Sequence, residues 1–185
     1  LVHLSTPNMR VSGVTLPGVP GVVLGHNEHI AWGATNVGPD VQDLFVETFD
    51  ASGKYKTPSG WEAAVVRKET INVRSNLLSP ATEPIAYEVT ETRNGPVIFE
   101  EGGKKYALKW TAFDPHNLEF EAFYRWNRAK NWNEFKQGAR TYGGSAQNFI
   151  YADVKGNIGW YAASKIPIRR KGDGAVPYDG STNDG

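Results

Sequence analysis

The stretch that decides the fold is GHNEHIAWGATNVGPDVQDLF, which occupies residues 25–45. Residues 29–35 predict a short strand, and residues 43–49 predict a second one. Between them the chain places glycine, asparagine, proline and Asp40, and Asp43 then opens the second strand. A polar strand end of this kind usually forms a turn, and less often a binding or catalytic site. The rest of the chain must distinguish these two interpretations.

Residues 1–110 predict mainly β-structure. Apolar and polar residues alternate at 69–73, 85–89 and 106–110, which is typical of half-buried strands. Asn94 and Gly95 are the strongest hairpin signal of the chain, because this pair favours the tight turns that join antiparallel strands. We therefore expect residues 51–112 to form a β-rich antiparallel excursion without a catalytic grouping of its own.

The next segment has the periodicity of helices rather than strands. After a start signal at 114–117, the predicted inner face of a first helix consists of Phe120, Phe123, Tyr124 and Asn127. A second helix begins where Asn131 and Glu134 have the spacing of a capping box. Its predicted inner face consists of Phe135, Ala139 and Tyr142.

A closing hairpin completes the order of elements, with strands at 148–153 and 158–161 and a turn at 155–157. Strands, then two helices, then a hairpin predict class α+β with an antiparallel sheet. We expect one partial domain in four consecutive segments: core strands carrying the motif at 1–50, the β-rich excursion at 51–112, the helical pair at 113–142, and a returning core hairpin and loop at 143–185.

Composition excludes several classes of function. The 185 residues contain 20 Lys and Arg against 20 Asp and Glu, so net charge indicates neither nucleic acid nor a membrane surface as a partner. The chain has no cysteine, which excludes a thiol nucleophile, a disulfide framework and a cysteine-based zinc site. No apolar run approaches the ~18 residues that indicate a transmembrane helix.

Two candidate sites follow from residue chemistry. Asp40, the carbonyl of Gln42 and Asp43 supply oxygens that suit calcium, although the same residues also fit a polar turn before a strand. Asn148 lies among apolar and aromatic residues, so its amide is either a donor to an oxyanion or a cap at the end of a strand or helix. Ser145 is not in the G-x-S-x-G motif of serine hydrolases, and no Ser-His-Asp triad is identified.

Residues 17–45 and 148–160 together resemble the β-chain of the penicillin acylase (penicillin amidase) family, in the same order and at a fitting distance. The resemblance implies an N-terminal-nucleophile hydrolase with an αββα sandwich of antiparallel sheets. In this family the nucleophile is the N-terminal Ser of the β-chain, and its own α-amine acts as the base. Leu1 does not match that residue, so this chain is expected to be an internal fragment of the β-chain.

The resemblance also implies roles for individual residues. The catalytic residues are Asn36, through its backbone N–H, and Asn148, through its side-chain amide; together they would form the oxyanion hole. Leu24 and Ala34 match walls of the acyl pocket and imply an apolar acyl group. Arg169 matches an arginine near the mouth of the site.

The resemblance places a structural calcium ion on Asp40, the carbonyl of Gln42 and Asp43. Its other ligands would come from outside this chain, including a carboxylate of the α-chain. The interpretation as a metal loop thereby replaces that of a simple turn.

The resemblance implies that the parent protein hydrolyses the acyl amide of small N-acyl compounds, of the β-lactam or acyl-homoserine-lactone type. Its partners would be the α-chain and the remainder of the β-chain, in a periplasmic or secreted enzyme. The chain alone is expected to be inactive and to self-associate through an unpaired sheet edge. The alternative is a calcium-stabilised β-rich binding module without catalysis, which holds a ligand on Trp32, Trp110 and Trp160.

Overall fold

The computed structural model describes residues 1–74, 76–78 and 81–185. It divides into two compact units, which we call the first unit (residues 1–41 and 111–167) and the second unit (residues 42–110 and 168–185). Positions 75, 79 and 80 of the expected excursion lie outside the described residues. Within the described part of the chain, no helix is long and apolar enough to cross a membrane.

The elements follow one another along the chain in an order dominated by strands. The strands are β1 (Val2–Thr6), β2 (Met9–Val14), β3 (Leu24–Asn27), β4 (Ile30–Asn36), β5 (Gln42–Glu47), β6 (Lys54–Thr57), β7 (Gly60–Ala63), β8 (Val65–Arg74), β9 (Thr82–Thr92), β10 (Gly95–Glu101), β11 (Lys104–Trp110), β12 (Gln147–Asp153), β13 (Ile158–Ala163) and β14 (Tyr178–Asp179). The helices are α1 (Glu119–Trp126) and α2 (Trp132–Ala139), preceded by a 3-10 turn at Thr111–Phe113. The chain is thus mostly β-sheet with two helices.

The first unit is built on a six-stranded sheet in the order β1-β2-β3-β4-β12-β13, with every pair antiparallel. The helices cover the face of this sheet that carries Phe149 and Tyr151. The Trp126 ring of α1 lies 4.5 Å from the Phe149 ring, and the Phe135 ring of α2 lies 5.2 Å from the Tyr151 ring. Because side chains alternate along a strand, Asn148 and Ile150 lie on the opposite face.

Both helices begin close to where the sequence predicts them. Asn131 caps α2 by accepting from the backbone N–H of Glu134 at 3.0 Å, which confirms the predicted capping residue. The predicted inner face of α1 is wrong in part, because Phe120 and Tyr124 are 63% and 57% exposed. The helix instead buries Ala122, Phe123 and Trp126, the positions that meet the aromatic residues of the sheet.

The second unit contains a six-stranded sheet in the order β14-β5-β11-β10-β9-β8 and a separate β6–β7 hairpin. Asn94 and Gly95 lie at the turn between β9 and β10, which confirms the predicted hairpin. β14 pairs with β5 in parallel, which departs from the expectation of antiparallel sheets. The expected half-buried pattern is also wrong for β8, whose residues are all exposed, and for residues 85–88 of β9, which are exposed as well.

Candidate functional site

The ends of β4 and β12 bring the two predicted catalytic residues together. In the antiparallel register Asn36 lies opposite Gln147, and Asn148 lies opposite Thr35. The Asn148 Nδ2 atom donates to the backbone carbonyl of Asn36 at 3.4 Å. The side-chain amide of Asn148 therefore lies against the backbone of Asn36, as an oxyanion site formed by both would require.

The direction of the Asn36 N–H follows from the pairing of the strands. The Val37 N–H donates to the Ala146 carbonyl at 3.1 Å. Since hydrogen-bonded and non-hydrogen-bonded pairs alternate in an antiparallel ladder, the N–H of Asn36 points away from β12. On that side the pairing of β3 with β4 reaches only Trp32, opposite Gly25. The Asn36 N–H thus projects from β4 beyond the last pair with β3.

Two further side chains hold the predicted catalytic residues in place. The Gln147 Nε2 atom donates to Asn36 Oδ1 at 2.8 Å, and the Trp160 indole N–H donates to Asn148 Oδ1 at 2.9 Å. Neither Gln147 nor Trp160 is among the predicted residues of the oxyanion hole. Gln147 is the first residue of β12, and Trp160 lies in β13. The register of the β12–β13 hairpin is the signal by which Trp160 can be found.

The two predicted acyl-pocket residues lie in the same unit as Asn36 and Asn148. Leu24 begins β3, and Ala34 lies in β4 directly opposite Phe149. Both are partly buried and pack against the hydrophobic core of the first unit. Ala34 alternates with Thr35 along β4, so its side chain lies on the face opposite to that of Asn148.

Asp43 and Arg169, which the resemblance assigns to two different roles, form an ion pair in the second unit. The Arg169 Nε atom lies 2.9 Å from Asp43 Oδ1 and 3.0 Å from Oδ2, and the two side chains are only 10% and 4% exposed. Gly174 has a φ of +89° and passes so close that an added Cβ would lie 2.6 Å from Asp43 Oδ1. A residue larger than glycine at 174 would therefore collide with the ion pair.

This ion pair bears directly on the predicted calcium site. Asp40 belongs to the first unit and is exposed, whereas Gln42 and Asp43 belong to the second. Calcium takes 6–8 oxygen ligands, and among the described residues no group of three or more His, Asp or Glu side chains is placed to hold a metal ion. The residue types suit calcium, but the arrangement does not leave Asp43 open, because a bound ion would compete with Arg169 for its carboxylate.

The loop that leads into β12 contacts a half-buried carboxyl group. Glu119, in the first turn of α1, lies against Gly144, where an added Cβ would overlap its carboxylate. Burial raises the pKa of Glu119, and a hydrogen bond from Tyr142 offsets part of that increase. Burial also raises the pKa of Tyr142, and the neighbouring Glu119 raises it further. The Ser164 hydroxyl donates to the Gly144 carbonyl at 2.9 Å. The Glu119 carboxyl and the Ser164 hydroxyl therefore both contact the loop before Asn148 and fix its position.

The aromatic platform required by the binding-module hypothesis is not formed by the three tryptophans named for it. Trp32 is 4% exposed, and its indole N–H donates to the Val23 carbonyl at 2.8 Å. Trp110 is only partly exposed, whereas Trp160 is 64% exposed. Trp32 is thus a core residue, and Trp160 is engaged with Asn148.

Comparison with known proteins gives consistent matches. The penicillin amidase family model matches residues 1–185. The acyl-homoserine lactone acylase QuiP of Pseudomonas fluorescens strain Pf0-1 is 32% identical over 188 residues, which cover 97% of this chain and 22% of that protein. Penicillin G acylase of Escherichia coli is 32% identical over 178 residues, which cover 92% of this chain and 20% of that protein.

The fold also matches a solved structure. Thermostable penicillin G acylase from Alcaligenes faecalis superposes with a TM-score of 0.82 at 30% identity, covering 97% of this chain and 32% of that one. The chain therefore spans about a fifth to a third of the proteins that it matches.

Proposed function

The chain belongs to the penicillin amidase family, and on that premise we propose that it supplies the oxyanion hole of an amide-hydrolysing acylase. The observation that carries this proposal is the 3.4 Å contact between Asn148 Nδ2 and the Asn36 carbonyl. This contact places a side-chain donor beside a strand end whose own N–H projects from the sheet. Two donors that converge on one position are what a tetrahedral intermediate of acyl transfer requires.

The chemistry follows from where charge develops. Attack on the amide carbonyl turns its oxygen into an oxyanion, which the Asn36 N–H and the Asn148 Nδ2 group stabilise by donating to it. The Asn148–Asn36 contact is long for a hydrogen bond, so it is readily exchanged for a stronger bond to the negative oxygen. Such donors act mainly in the transition state and thus raise kcat.

The remaining parts of the reaction belong to the rest of the proposed parent protein. We assign the nucleophile to an N-terminal Ser outside this chain, with its α-amine as base. The α-chain and the remainder of the β-chain would complete an αββα sandwich around the sheet of the first unit. We place the parent enzyme in the periplasm or outside the cell, as the family resemblance implies.

We propose small N-acyl compounds as substrates. The relatives are named as acylases of penicillin or of acyl-homoserine lactones, and the predicted pocket residues Leu24 and Ala34 are both apolar. Because Ala34 packs against the core on the face opposite to Asn148, we assign the apolar surface for the acyl group to Leu24. Burial of an apolar chain there is favourable at roughly 25 cal/mol per Å² of apolar surface. β-Lactam and acyl-homoserine-lactone amides both carry such an acyl group.

We also propose calcium as a structural ion of the parent protein, bound at the segment from Asp40 to Asp43 with ligands from outside this chain. The warrant is the pair of carboxylates with the intervening Gln42 carbonyl, since calcium favours oxygen ligands. Binding of the ion would require Arg169 to release the Asp43 carboxylate. When bound, the ion would fix the loop between β4 and β5. No catalytic step involves it.

The test is Asn148→Ala in the full-length acylase, assayed on penicillin G and on a long-chain acyl-homoserine lactone. We expect kcat to fall by about 10²–10³ with little change in KM, because the lost donor acts in the transition state. Asn72→Ala, which removes an exposed asparagine of β8, is the matched control and should leave kcat unchanged. A near-normal kcat in Asn148→Ala would remove Asn148 from the mechanism.

A further inference from the structure

We propose that Trp160 is a positioning residue that fixes the orientation of the Asn148 amide, an inference that rests on the proposed function. The β12–β13 register sets Asn148 opposite Ala162 and Ile150 opposite Trp160. Trp160 is therefore a diagonal neighbour of Asn148 on the same face of the sheet, within reach of a large aromatic side chain. Its indole Nε1 atom lies 2.9 Å from Asn148 Oδ1.

The chemistry of the two side chains decides which end of the amide faces the tryptophan. An asparagine amide presents an acceptor oxygen at one end and a donor NH₂ group at the other, and half a rotation exchanges them. The indole N–H of Trp160 is a donor only. It therefore selects the rotamer in which Oδ1 faces Trp160 and Nδ2 faces the backbone of Asn36.

This selection matters because the wrong rotamer would oppose catalysis. With the amide reversed, Asn148 Oδ1 would face the developing oxyanion and repel it. Trp160 holds the donor end toward Asn36 before substrate arrives, and a donor oriented in advance needs no reorganisation during the reaction. Trp160 acts through Asn148 and does not itself donate to the oxyanion.

The size of the effect follows from the strength of one hydrogen bond. A neutral hydrogen bond of this kind shifts an equilibrium by roughly three- to tenfold. We expect Trp160→Phe, which keeps an aromatic ring and removes the N–H, to lower kcat of the full-length acylase by about that factor. KM should stay nearly constant, because the ground-state contacts of the substrate are retained.

The matched control is Trp61→Phe, which makes the same replacement at a tryptophan of β7 that is 47% exposed. It should leave kcat and KM unchanged. Both variants keep an aromatic ring at the substituted position, so both should melt close to the wild-type temperature. A rise in KM at constant kcat for Trp160→Phe would make the ring a substrate contact and overturn the inference.

A double-mutant cycle separates positioning from other roles. If Trp160 acts through the Asn148 amide, Trp160→Phe has no further effect on kcat in the Asn148→Ala background. A full three- to tenfold loss in that background would show that Trp160 acts independently and would overturn the inference.

The same cycle distinguishes failure of this inference from failure of the proposed function. If Asn148→Ala lowers kcat and Trp160→Phe does not, the positioning role alone is wrong. If Asn148→Ala itself leaves kcat unchanged, the proposed oxyanion role fails and the positioning role fails with it.

Discussion

Asp43 is the residue whose environment differs most from its predicted role. The sequence predicts a metal ligand, whereas the structure shows a buried carboxylate whose two oxygens both contact Arg169. A buried charge must be paired, because the desolvation penalty is otherwise several kcal/mol. Arg169 meets this requirement within the second unit, so the arrangement is electrostatically complete without an ion.

The pair predicts a large loss of stability when one partner is removed. Asp43→Asn leaves the Arg169 guanidinium buried without its counter-charge, and we expect the free energy of unfolding to fall by ~3–5 kcal/mol. Urea denaturation of the full-length protein measures this change. Asp40→Asn alters an exposed carboxylate of the same segment and should lower the free energy of unfolding far less.

Chelation tests the competition between calcium and Arg169 in the same variants. If calcium binds Asp43, a chelator should lower the melting temperature of the full-length wild-type protein. Asp43→Asn should then melt at the same temperature with and without chelator. A chelator-insensitive wild type would show instead that Arg169 alone neutralises Asp43, and the proposed calcium site would be wrong.

At the scale of elements, the first turn of α1 contacts the loop before β12 through Glu119, which lies against Gly144. Burial raises the pKa of Glu119 above its ordinary value of 4.5. The folded protein therefore holds this proton over a pH range in which the unfolded chain has released it. The stability that Glu119 contributes is present below pH 4.5 and is lost as pH rises through the folded pKa.

Glu119→Gln tests this contact, because glutamine can still accept from Tyr142 but cannot ionise. We expect the melting temperature of the variant, relative to that of the wild type, to increase as pH rises from about 4 to 7. Glu121→Gln is the matched control on the same helix, where a partly exposed carboxylate pairs with Arg125. A Glu119→Gln variant with no pH-dependent difference from wild type would contradict the raised pKa.

The elements that the sequence predicts best are those encoded by neighbouring residues. Asn94 and Gly95 determine a hairpin by their own backbone preferences, and Asn131 caps α2 by bonding to the N–H of Glu134. The predicted closing hairpin is present as β12 and β13. In each case, the interacting residues are close in sequence, so local chemistry is sufficient.

Contacts between distant segments are the part that sequence patterns miss. Arg169 lies 126 positions from Asp43, and no local motif of either residue indicates the other. The α1 helix is a second example, since its apolar periodicity predicts burial of Phe120 and of Phe123 equally well. Only the position of the sheet decides that Phe123 is buried and Phe120 exposed.

At the scale of the whole molecule, the first sheet exposes large apolar side chains on one face. The chain also covers only part of the length of its relatives. The face of the first sheet that carries Asn148 also carries Ile150, Ile158 and Trp160, which are 55%, 86% and 64% exposed. Contiguous apolar surface of this kind marks a place where other protein packs. We therefore expect the proposed remainder of the enzyme to close on the face that carries Asn148.

The 185-residue chain alone should cleave no amide, because the proposed nucleophile belongs to the rest of the enzyme. The proposed oxyanion donors stabilise charge only after a nucleophile has attacked, and the proposed nucleophile is a Ser with a free α-amine. Residue 1 of this chain is Leu, and Ser5 lies within β1. An amide can be bound by Asn36 and Asn148, but its bond then stays intact.

The measurement is release of chromophore from a phenylacetyl anilide and from a long-chain acyl anilide, with the full-length acylase as positive control. We expect turnover by the full-length protein and none by the purified chain. Ser5→Ala is the matched variant, because Ser5 is the serine nearest the start of the chain. Turnover by the chain that survives both Ser5→Ala and repurification would show that an active nucleophile lies elsewhere within these residues, and the proposed assignment to an external serine would be wrong.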